Sequence, residues 1–375
     1  MSPRVVIACG GTGGHLFPGV AVGGELHSRG MAVTLVVSEK EVDRVGLAGE
    51  TRFEVLRLPA AGFGQASSWR VARGLFGAFL QCQRSFSTRP PAAVLAMGGF
   101  TAAAPLLAGR LSGAALFLHD SNAVPGRVNR LLSRGVQEAF VAFDEAVLRL
   151  RCPRATRSGT PVRPQFHPGI VPEAARAELG LDPHRPVLLI TGGSQGARGI
   201  NEAVVAILPP LVQAIPELQF LHLTGQPDFE RVRASYGAAG VAGVIRPFLH
   251  EMDQALAAAT LCIGRAGGSS LAECAAMGVA SILIPYPAAA DNHQSVNARI
   301  LADRGAAVWL PQSEAGSGKL LDPVLRLLRD ATARETMARN VASWHVADAA
   351  QRIATRILGS LKTGVQKGPE TCVVS

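Results

Sequence analysis

The stretch "GGTGGHLFPG" at residues 10–19 follows a short apolar run, "RVVIAC" (4–9), and precedes a helical pattern. An apolar strand that enters a glycine-rich turn and then a helix is typical of a parallel α/β sheet. Two common nucleotide motifs do not fit, because the third glycine of G-x-G-x-x-G would fall on Leu16 and a P-loop lysine is absent. The turn still suits an anion, since a helix N-terminus presents unpaired N–H groups and the positive end of its dipole.

The rest of the chain repeats this pattern of an apolar run followed by a helical stretch. Strands are predicted at 4–9, 32–38, 54–59, 92–99, 114–120 and 138–143 in the first half, and at 186–193, 218–225, 241–248, 260–267, 281–287 and 306–311 in the second. Such alternation indicates βαβ units and parallel sheets covered on both faces. We therefore expect an α/β protein of two Rossmann-like, doubly wound domains with a ligand cleft between them.

The domain boundaries follow from composition and length. A chain of 375 residues suits two domains. The proline- and glycine-rich stretch 157–172 reads as a linker, which gives domains at 1–162 and 163–342. A helix predicted at about 343–360 carries an apolar stripe and is expected to pack back on the first domain, whereas 361–375 has no periodicity and is predicted to be disordered.

The charge and the cysteines restrict the partners and the compartment. There are 37 Lys and Arg against 28 Asp and Glu, a net charge of +9. This excess favours nucleic acid, an anionic membrane surface or a phosphorylated substrate, although a general arginine bias would produce it too. Six separated cysteines without a C-x-x-C pair indicate neither a zinc site nor disulfides and fit a reducing cytoplasm. The start is too short for a signal peptide, and no apolar run reaches 18 residues.

Ligands of parallel sheets bind beyond the carboxyl ends of the strands, where this sequence has polar or glycine-rich turns at 10–15, 98–100, 119–122, 192–197 and 264–273. In the last turn, Ser269 and Ser270 precede a helix that carries Glu273. These residues either form a capping box or bind a diphosphate and a sugar through N–H, hydroxyl and carboxylate groups. No D-x-D pair is present to hold a metal, so N–H groups, helix dipoles and arginines such as Arg163 and Arg198 would stabilise a diphosphate leaving group. The alternative for Arg198, which the sequence favours, is a solvated surface residue.

Five motifs in order, "GGTGGHLFPG", "HDSNAVPGRVNRLL", "GGSQGARGINE", "GRAGGSSLAE" and "DNHQSVNA", resemble the MurG family of N-acetylglucosaminyltransferases over residues 4 to about 358. The resemblance implies a GT-B, metal-independent and inverting enzyme without a cofactor. Its substrates would be UDP-N-acetylglucosamine and lipid I, a polyprenyl-diphosphate glycolipid. It would lie peripherally on the cytoplasmic side of the plasma (inner) membrane, on an anionic surface and with wall-synthesis proteins as partners, and would bind no nucleic acid.

The resemblance also implies site residues. Ser194 and the turn at Gly268 would bind the diphosphate, Glu273 the ribose, the backbone of Leu249 the uracil and Gln294 the N-acetylglucosamine. The full set of expected donor-binding residues is Thr12, Gly13, Gly14, Asn122, Arg163, Ser194, Leu249, Gly268, Ser269, Ser270, Leu271, Ala272, Glu273 and Gln294. The family has His-Glu-x-Asn where this chain has His119 to Asn122, so the shorter Asp120 puts the role of that carboxylate in doubt.

His15 is the candidate general base. A histidine has an unperturbed pKa of about 6.5, near the working pH that general base catalysis requires. It would take the proton of the acceptor hydroxyl directly or through Asp120, the second expected catalytic residue. The alternative is a residue that only bonds locally at the helix terminus.

The stretch 67–86 mixes aromatic and leucine residues with arginines. Trp69, Leu75, Phe76 and Phe79 are the expected membrane contacts. The alternative is a helix whose apolar stripe faces its own sheet.

Three other functions stay open at this point: a related transferase with another lipid acceptor such as diacylglycerol, a soluble UDP-N-acetylglucosamine epimerase or hydrolase, and a nucleic-acid-binding protein. Donor turnover without any glycolipid would favour the second, and the scarcity of aromatic residues (5%) argues against the third.

Overall fold

The computed structural model describes residues 2–59, 68–193 and 196–365. They form two compact units, one made of the residues up to Arg163 together with those from Ala347, and one made of Pro164–Val346. The strands are β1 (Arg4–Ala8), β2 (Ala32–Ser38), β3 (Glu54–Leu58), β4 (Ala93–Ala96), β5 (Ala115–Asp120), β6 (Glu138–Val141), β7 (Ala155–Arg157), β8 (Val187–Thr191), β9 (Gln219–Leu223), β10 (Val244–Arg246), β11 (Leu261–Gly264), β12 (Ser281–Leu283) and β13 (Val308–Trp309). The helices are α1 (Gly13–Ser28), α2 (Glu41–Gly46), α3 (Ser68–Thr88), α4 (Ala103–Leu111), α5 (Arg127–Leu132), α6 (Pro172–Glu178), α7 (Arg198–Ala214), α8 (Phe229–Ala238), α9 (Met252–Ala258), α10 (Gly268–Met277), α11 (His293–Asp303), α12 (Gln312–Glu314), α13 (Leu321–Arg329), α14 (Ala331–Trp344) and α15 (Ala349–Val365).

The first unit is built on a parallel sheet of order β3-β2-β1-β4-β5-β6-β7. All six strands predicted in this half are present. The seventh, β7, was missed because it is three half-buried residues, Ala155 to Arg157, with a single apolar side chain. Such a short edge strand carries no hydrophobic pattern to detect.

Two cores cover the faces of this sheet. On one face α1 and α15 pack together, and Ile353 and Ile357 of α15 are fully buried beside Val22 and Leu26 of α1. On the other face α3 and α4 contribute Ala78, Cys82, Phe86, Ala104 and Leu106. Helix α15 extends to Val365, into the stretch predicted to be disordered, and residues 366–375 lie outside the described ranges.

The second unit has a parallel sheet of order β10-β9-β8-β11-β12-β13, so the fold prediction of two parallel α/β units is confirmed. Its main core joins α7 and α8 to α13 through residues such as Ile207, Val232 and Leu327. Among the described residues, no helix has the length and apolarity needed to cross a membrane.

A buried polar chain crosses the core of the second unit. Tyr236 Oη lies 3.1 Å from His222 Nδ1, and His222 Nε2 lies 3.0 Å from Asn201 Oδ1. His222 is fully buried, and this burial lowers its pKa from 6.5 to about 3 because the charged form loses its hydration.

We expect the stability of the second unit to fall with acid because of His222. The folded protein holds this imidazole neutral down to about pH 3, whereas the unfolded chain protonates it near pH 6.5, so stability present above pH 6.5 is lost as the pH falls. Between pH 7.5 and pH 5 this one group would cost about 2 kcal/mol of unfolding free energy.

Urea titrations at the two pH values test this expectation on the wild type, on His222→Gln and on His184→Gln. The His222→Gln variant should lose less stability in acid than the wild type, and the variant of the exposed His184 should behave like the wild type. Equal acid losses in all three proteins would contradict the expectation.

Candidate active site

The glycine turn between β1 and α1 is held from two neighbouring turns. Gly11 N donates to Asp43 Oδ2 at 2.8 Å, and Thr101 Oγ1 donates to Gly10 O at 2.7 Å. Asp43 is fully buried and also accepts from the amide and the hydroxyl of Ser38, at 2.8 and 2.6 Å. The sequence analysis missed both holding residues, although each follows the carboxyl end of a strand adjacent to β1.

His15 lies in the first turn of α1, above the turn at 98–99. A Cβ placed on Gly98 would come within 3.0 Å of His15 Nε2, so only a glycine lets the imidazole lie this close. Thr12 Oγ1 lies 3.1 Å from His15 Nδ1, and the ring is half-buried. The imidazole is therefore held by the glycines at 98–99 on one face and by the Thr12 hydroxyl at Nδ1. This arrangement suits a general base of defined orientation.

Asp120 organises its own loop. Its Oδ1 accepts from the amide and the side chain of Asn122 at 3.0 and 3.3 Å, and its Oδ2 accepts from Gly126 N at 2.8 Å and from Asn129 Nδ2 at 2.9 Å. The carboxylate is 4% exposed. Four donors occupy it, a geometry that suits a loop-shaping role, and the predicted relay of a proton through Asp120 stays a prediction.

His119, one residue earlier, is fully buried, and its Nε2 lies 3.0 Å from Gly159 O. Because a carbonyl only accepts, Nε2 carries the proton. Burial lowers the pKa of His119, which keeps the ring neutral. Of these two neighbouring histidines, His15 is the more accessible.

Arg163, expected on the nucleotide, lies in the first unit. Its guanidinium carbon is 4.1 Å from the centroid of the Phe17 ring on α1. This stacked arginine places a positive charge one turn along the helix from Thr12, Gly13 and Gly14.

In the second unit, helix α10 begins without a capping box. Its N-cap is Gly267 rather than a serine, and its first backbone hydrogen bond runs from Leu271 N to Gly267 O at 3.0 Å. The amides of Gly268, Ser269 and Ser270 precede that bond and so point out of the helix end. Asn297 Nδ2 holds the turn behind them by donating to Ala266 O at 3.0 Å.

The other residues predicted on α10 divide between surface and core. Ser269, Ser270 and Glu273 are half-buried. Leu271 and Ala272 are each 2% exposed and belong to the interior, and their contact with the donor stays a prediction.

The residues before α11 adopt a strained turn. Asp291 and Asn292 have φ values of 50° and 54°, the left-handed region that non-glycine residues rarely occupy. Gln294 follows, and its Oε1 accepts from Tyr286 N at 3.0 Å. The amide nitrogen of Gln294 is thereby directed away from the Tyr286 backbone, and strain of this kind clusters at ligand sites.

Two of the three remaining residues that the sequence analysis named lie in the described part of the chain. Ser194 is outside the described residues. Leu249 follows β10, and its side chain is 4% exposed. Arg198, at the start of α7, pairs with Glu202 at 2.8 Å on the surface.

Arg265 supports the turn before α10, and the sequence analysis did not select it. Its Nη1 donates to Ile284 O and Pro285 O at 2.9 and 3.0 Å, and its Nη2 donates to Gln312 Oε1 at 2.8 Å. Burial lowers its pKa to about 10, which leaves it charged near neutral pH. It braces the turn before α10 against the end of β12. The sequence feature that could have identified Arg265 is its position directly after β11 in "GRAGG".

Helix α3 presents the expected membrane residues on different sides. Trp69 and Phe76 are 78% and 61% exposed, whereas Leu75 and Phe79 are half-buried and Phe79 packs against the core. Phe79 therefore fits the alternative of a stripe that faces the protein's own core, whereas Trp69 and Phe76 are exposed and their contact with a membrane stays a prediction. In the described part of the chain, no group of three His, Cys, Asp or Glu side chains could hold a metal ion.

Comparisons with known proteins give the family. The glycosyltransferase family 28 N-terminal domain matches residues 5–141, and the C-terminal domain of the same family matches 187–353. The UDP-N-acetylglucosamine–N-acetylmuramyl-(pentapeptide) pyrophosphoryl-undecaprenol N-acetylglucosamine transferase of Pelobacter propionicus is 36% identical over 95% of this chain and 99% of its own. The protein of the same name from Moorella thermoacetica is 36% identical over 96% and 100%.

Among solved structures, the crystal structure of Acinetobacter baumannii MurG aligns with a TM-score of 0.73 and 27% identity over 95% of this chain and 99% of that chain. The similarity spans both units from end to end. The chain therefore belongs to glycosyltransferase family 28 and, within it, to the MurG family of N-acetylglucosamine transferases.

Proposed function

We propose that this hexosyltransferase moves N-acetylglucosamine from UDP-N-acetylglucosamine onto the muramyl sugar of lipid I, which yields lipid II and UDP. The observation that carries the proposal is the full-length match to transferases whose names contain both substrates. Labelled donor offered with lipid I, with EDTA present, should give labelled lipid II and UDP. Release of sugar without lipid I, or transfer only to another lipid such as diacylglycerol, would contradict it.

The second unit would bind the donor. The amides of Gly268 to Ser270 at the start of α10 present N–H groups and a positive dipole end to the diphosphate. Glu273, in the next turn of the same helix, would accept hydrogen bonds from the ribose hydroxyls. Gln294 would reach the sugar, and the Leu249 backbone would bind the uracil edge. No metal is required in this scheme, because N–H groups and arginine offset the charge.

Glu273→Ala should weaken UDP binding by about 1.5–3 kcal/mol, the range for a hydrogen bond to a charged group. Calorimetric titration with UDP measures this, with the exposed Glu335→Ala in the same unit as the matched control. The control should bind UDP like the wild type. Unchanged UDP affinity in Glu273→Ala together with a lower melting temperature would show a purely structural glutamate.

The first unit would activate the acceptor. As its hydroxyl attacks the anomeric carbon, the C–O bond to the sugar forms, the bond to the diphosphate breaks, and the hydroxyl proton passes to His15. The half-buried imidazole, fixed by Thr12 and the glycines beneath it, is oriented for that transfer. Asp120 would contribute by holding the loop of Asn122 in shape.

His15→Ala should lower kcat by at least about 10²-fold with little change in the donor KM, because the base acts in the transition state. The pH profile of kcat should also lose an ionisation near neutrality. Steady-state kinetics at several pH values measure both effects, and His27→Ala, on the last turn of the same helix, is the control. Near-full turnover of His15→Ala with the wild-type profile would place the base elsewhere.

A surface on the first unit would contact an anionic membrane. Helix α3 packs on α4 and α4 on α5. These elements and the segment at Leu148 expose large apolar side chains, namely Trp69, Phe76, Leu80, Leu107, Leu111, Leu131 and Leu148. A groove of about 550 Å³ is lined by Arg127, Arg130, Leu131, Arg134, Leu148, Arg149 and Arg151. Apolar side chains among arginines suit the interface of an anionic bilayer, and the enzyme would bind it peripherally.

Replacing Trp69, Phe76 and Leu80 with serine should reduce cosedimentation with vesicles that contain phosphatidylglycerol, because exposed apolar area is lost. UDP affinity should stay at the wild-type value. The control replaces Val45 and Val55, two exposed valines elsewhere in this unit. If the triple variant sediments with vesicles as well as the control does, the surface is not the membrane contact.

A further inference from the structure

Arg265 binds the backbone that follows β12. Its Nη1 donates to Ile284 O and Pro285 O at 2.9 and 3.0 Å, and its Nη2 donates to Gln312 Oε1 at 2.8 Å. The guanidinium is half-buried, and among the described residues no carboxylate forms an ion pair with it. A planar guanidinium presents its N–H donors in a fixed fork, so these three bonds hold the two carbonyls at set positions. Arg265 therefore fixes the path of the chain into residue 286.

Gln294 takes its orientation from the same segment. Tyr286 N donates to Gln294 Oε1 at 3.0 Å, and because a backbone amide only donates, the oxygen of the carboxamide faces Tyr286. No acceptor within the described ranges binds Nε2 of Gln294. The half-buried side chain thus retains two N–H donors for a ligand with hydroxyl or carbonyl oxygens, and an N-acetylated sugar has both.

A hydrogen bond from α11 closes a ring of contacts. Asn297, one turn beyond Gln294 on α11, is fully buried, and its Nδ2 donates to Ala266 O at 3.0 Å. Ala266 follows Arg265 directly and lies two residues before the start of α10. The ring therefore runs from Arg265 to the segment after β12, from that segment to Gln294, along α11 to Asn297 and back to Ala266. It sets the position of the Gln294 carboxamide relative to the start of α10.

We propose that Arg265 positions Gln294 for the sugar of the donor, so that recognition of N-acetylglucosamine depends on this arginine more than recognition of the uridine diphosphate does. The inference rests on the proposed function, in which Gln294 binds the sugar and the start of α10 binds the diphosphate. Arg265 is a positioning residue, since its hydrogen bonds go to the backbone after β12 and to Gln312. When Arg265 is replaced, the turn before α10 retains its hydrogen bond from Asn297.

The chain offers graded variants and a matched control. Arg265→Met retains most of the side-chain length but removes all three hydrogen bonds. Arg265→Lys retains the charge and N–H donors for the carbonyls but loses the planar fork. The control is Arg176→Met in the same unit. Arg176 is also half-buried, and it donates to the carbonyls of Ala258 and Pro183 and to the hydroxyl of Thr260.

Calorimetric titration of the full-length protein with UDP and with UDP-N-acetylglucosamine tests the proposal. The Kd of UDP-N-acetylglucosamine divided by the Kd of UDP isolates the sugar, because both ligands contain the uridine diphosphate. This ratio should rise about tenfold in Arg265→Met and about threefold in Arg265→Lys, because hydrogen bonds of the sugar are weakened. Arg176→Met should keep the wild-type ratio, and the acceptor KM should stay within about twofold in all three variants.

A double-mutant cycle with Gln294→Ala tests whether Arg265 acts through Gln294. Gln294→Ala alone should raise the same ratio about tenfold. Adding Arg265→Met should then raise it by no more than about twofold, because the group that Arg265 positions is already absent. Effects that multiply, to a ratio about a hundredfold above the wild type, would overturn the proposal.

Equal rises in the two Kd values of Arg265→Met, which leave the ratio unchanged, would also contradict the positioning role. If Arg265→Met does not fold, Arg265→Lys takes its place, with an unchanged ratio as the contrary result. A wild type that transfers no N-acetylglucosamine to lipid I would refute the proposed function. An active wild type with an unchanged ratio in Arg265→Met would refute the positioning role alone.

Discussion

Hydrogen bonds from buried polar side chains to the backbone of the strand-to-helix turns support both units. Where a strand leaves a parallel sheet, its backbone N–H and C=O groups lose the hydrogen bonds to the neighbouring strands. These groups at the turn then need other hydrogen-bond partners. Thr101 and Asp43 supply them for the turn at Gly10 and Gly11, and Asn297 supplies one for Ala266. Asp43 lies on α2, Thr101 lies in the turn after β4 and Asn297 lies on α11, so each side chain belongs to a segment that follows another strand of its sheet. The turns are therefore shaped by protein contacts, and the proposed binding of the donor would use the N–H groups that face outward.

This arrangement separates the residues that hold a turn from those that face a substrate. Asp120 has the charge expected of a catalytic group, but four donors from its own loop occupy it. His15 has fewer such constraints, because it is half-buried and rests on glycines that carry no side chain. A carboxylate one methylene shorter than the glutamate of the family pattern suits the first task, since it bonds to the amide only two residues further on. The shorter side chain at position 120 is thus compatible with the site when its role is to shape the loop.

The sequence predicted the layers of the fold and the location of the turns better than it predicted the contacts between them. All twelve predicted strands are present, and most of them contain a buried apolar run, although β3 is largely exposed and β10 and β13 are half-buried. The predicted ends extended into glycines and prolines that lie beyond the sheet. The residues that hold the turns were missed, since Asp43 and Thr101 lie 32 and 91 positions from their partners and no local pattern links them. The start of α10 was ambiguous for another reason: serine and glycine both occur at N-caps, and only the backbone angles identify Gly267. In α3, periodicity marked the apolar side chains, and burial alone separates Phe79 from Phe76.

The meaning of the net charge of +9 depends on where the arginines lie. Some surface arginines are spread singly beside a carboxylate, as Arg44 is beside Glu41 and Arg233 beside Glu230. The groove on the first unit gathers five arginines and two leucines in its lining, with no acidic residue among the lining residues. Leu131 and Leu148 in that lining are 76% and 91% exposed, so their apolar side chains lie in water. The phosphodiesters of a nucleic acid would bind the arginines but would offer no apolar surface to cover these leucines. A lipid interface meets both requirements at once, with phosphates for the guanidinium groups and acyl chains for the leucines. The composition alone allowed several kinds of anionic partner. The position of the leucines among the arginines favours a bilayer among them.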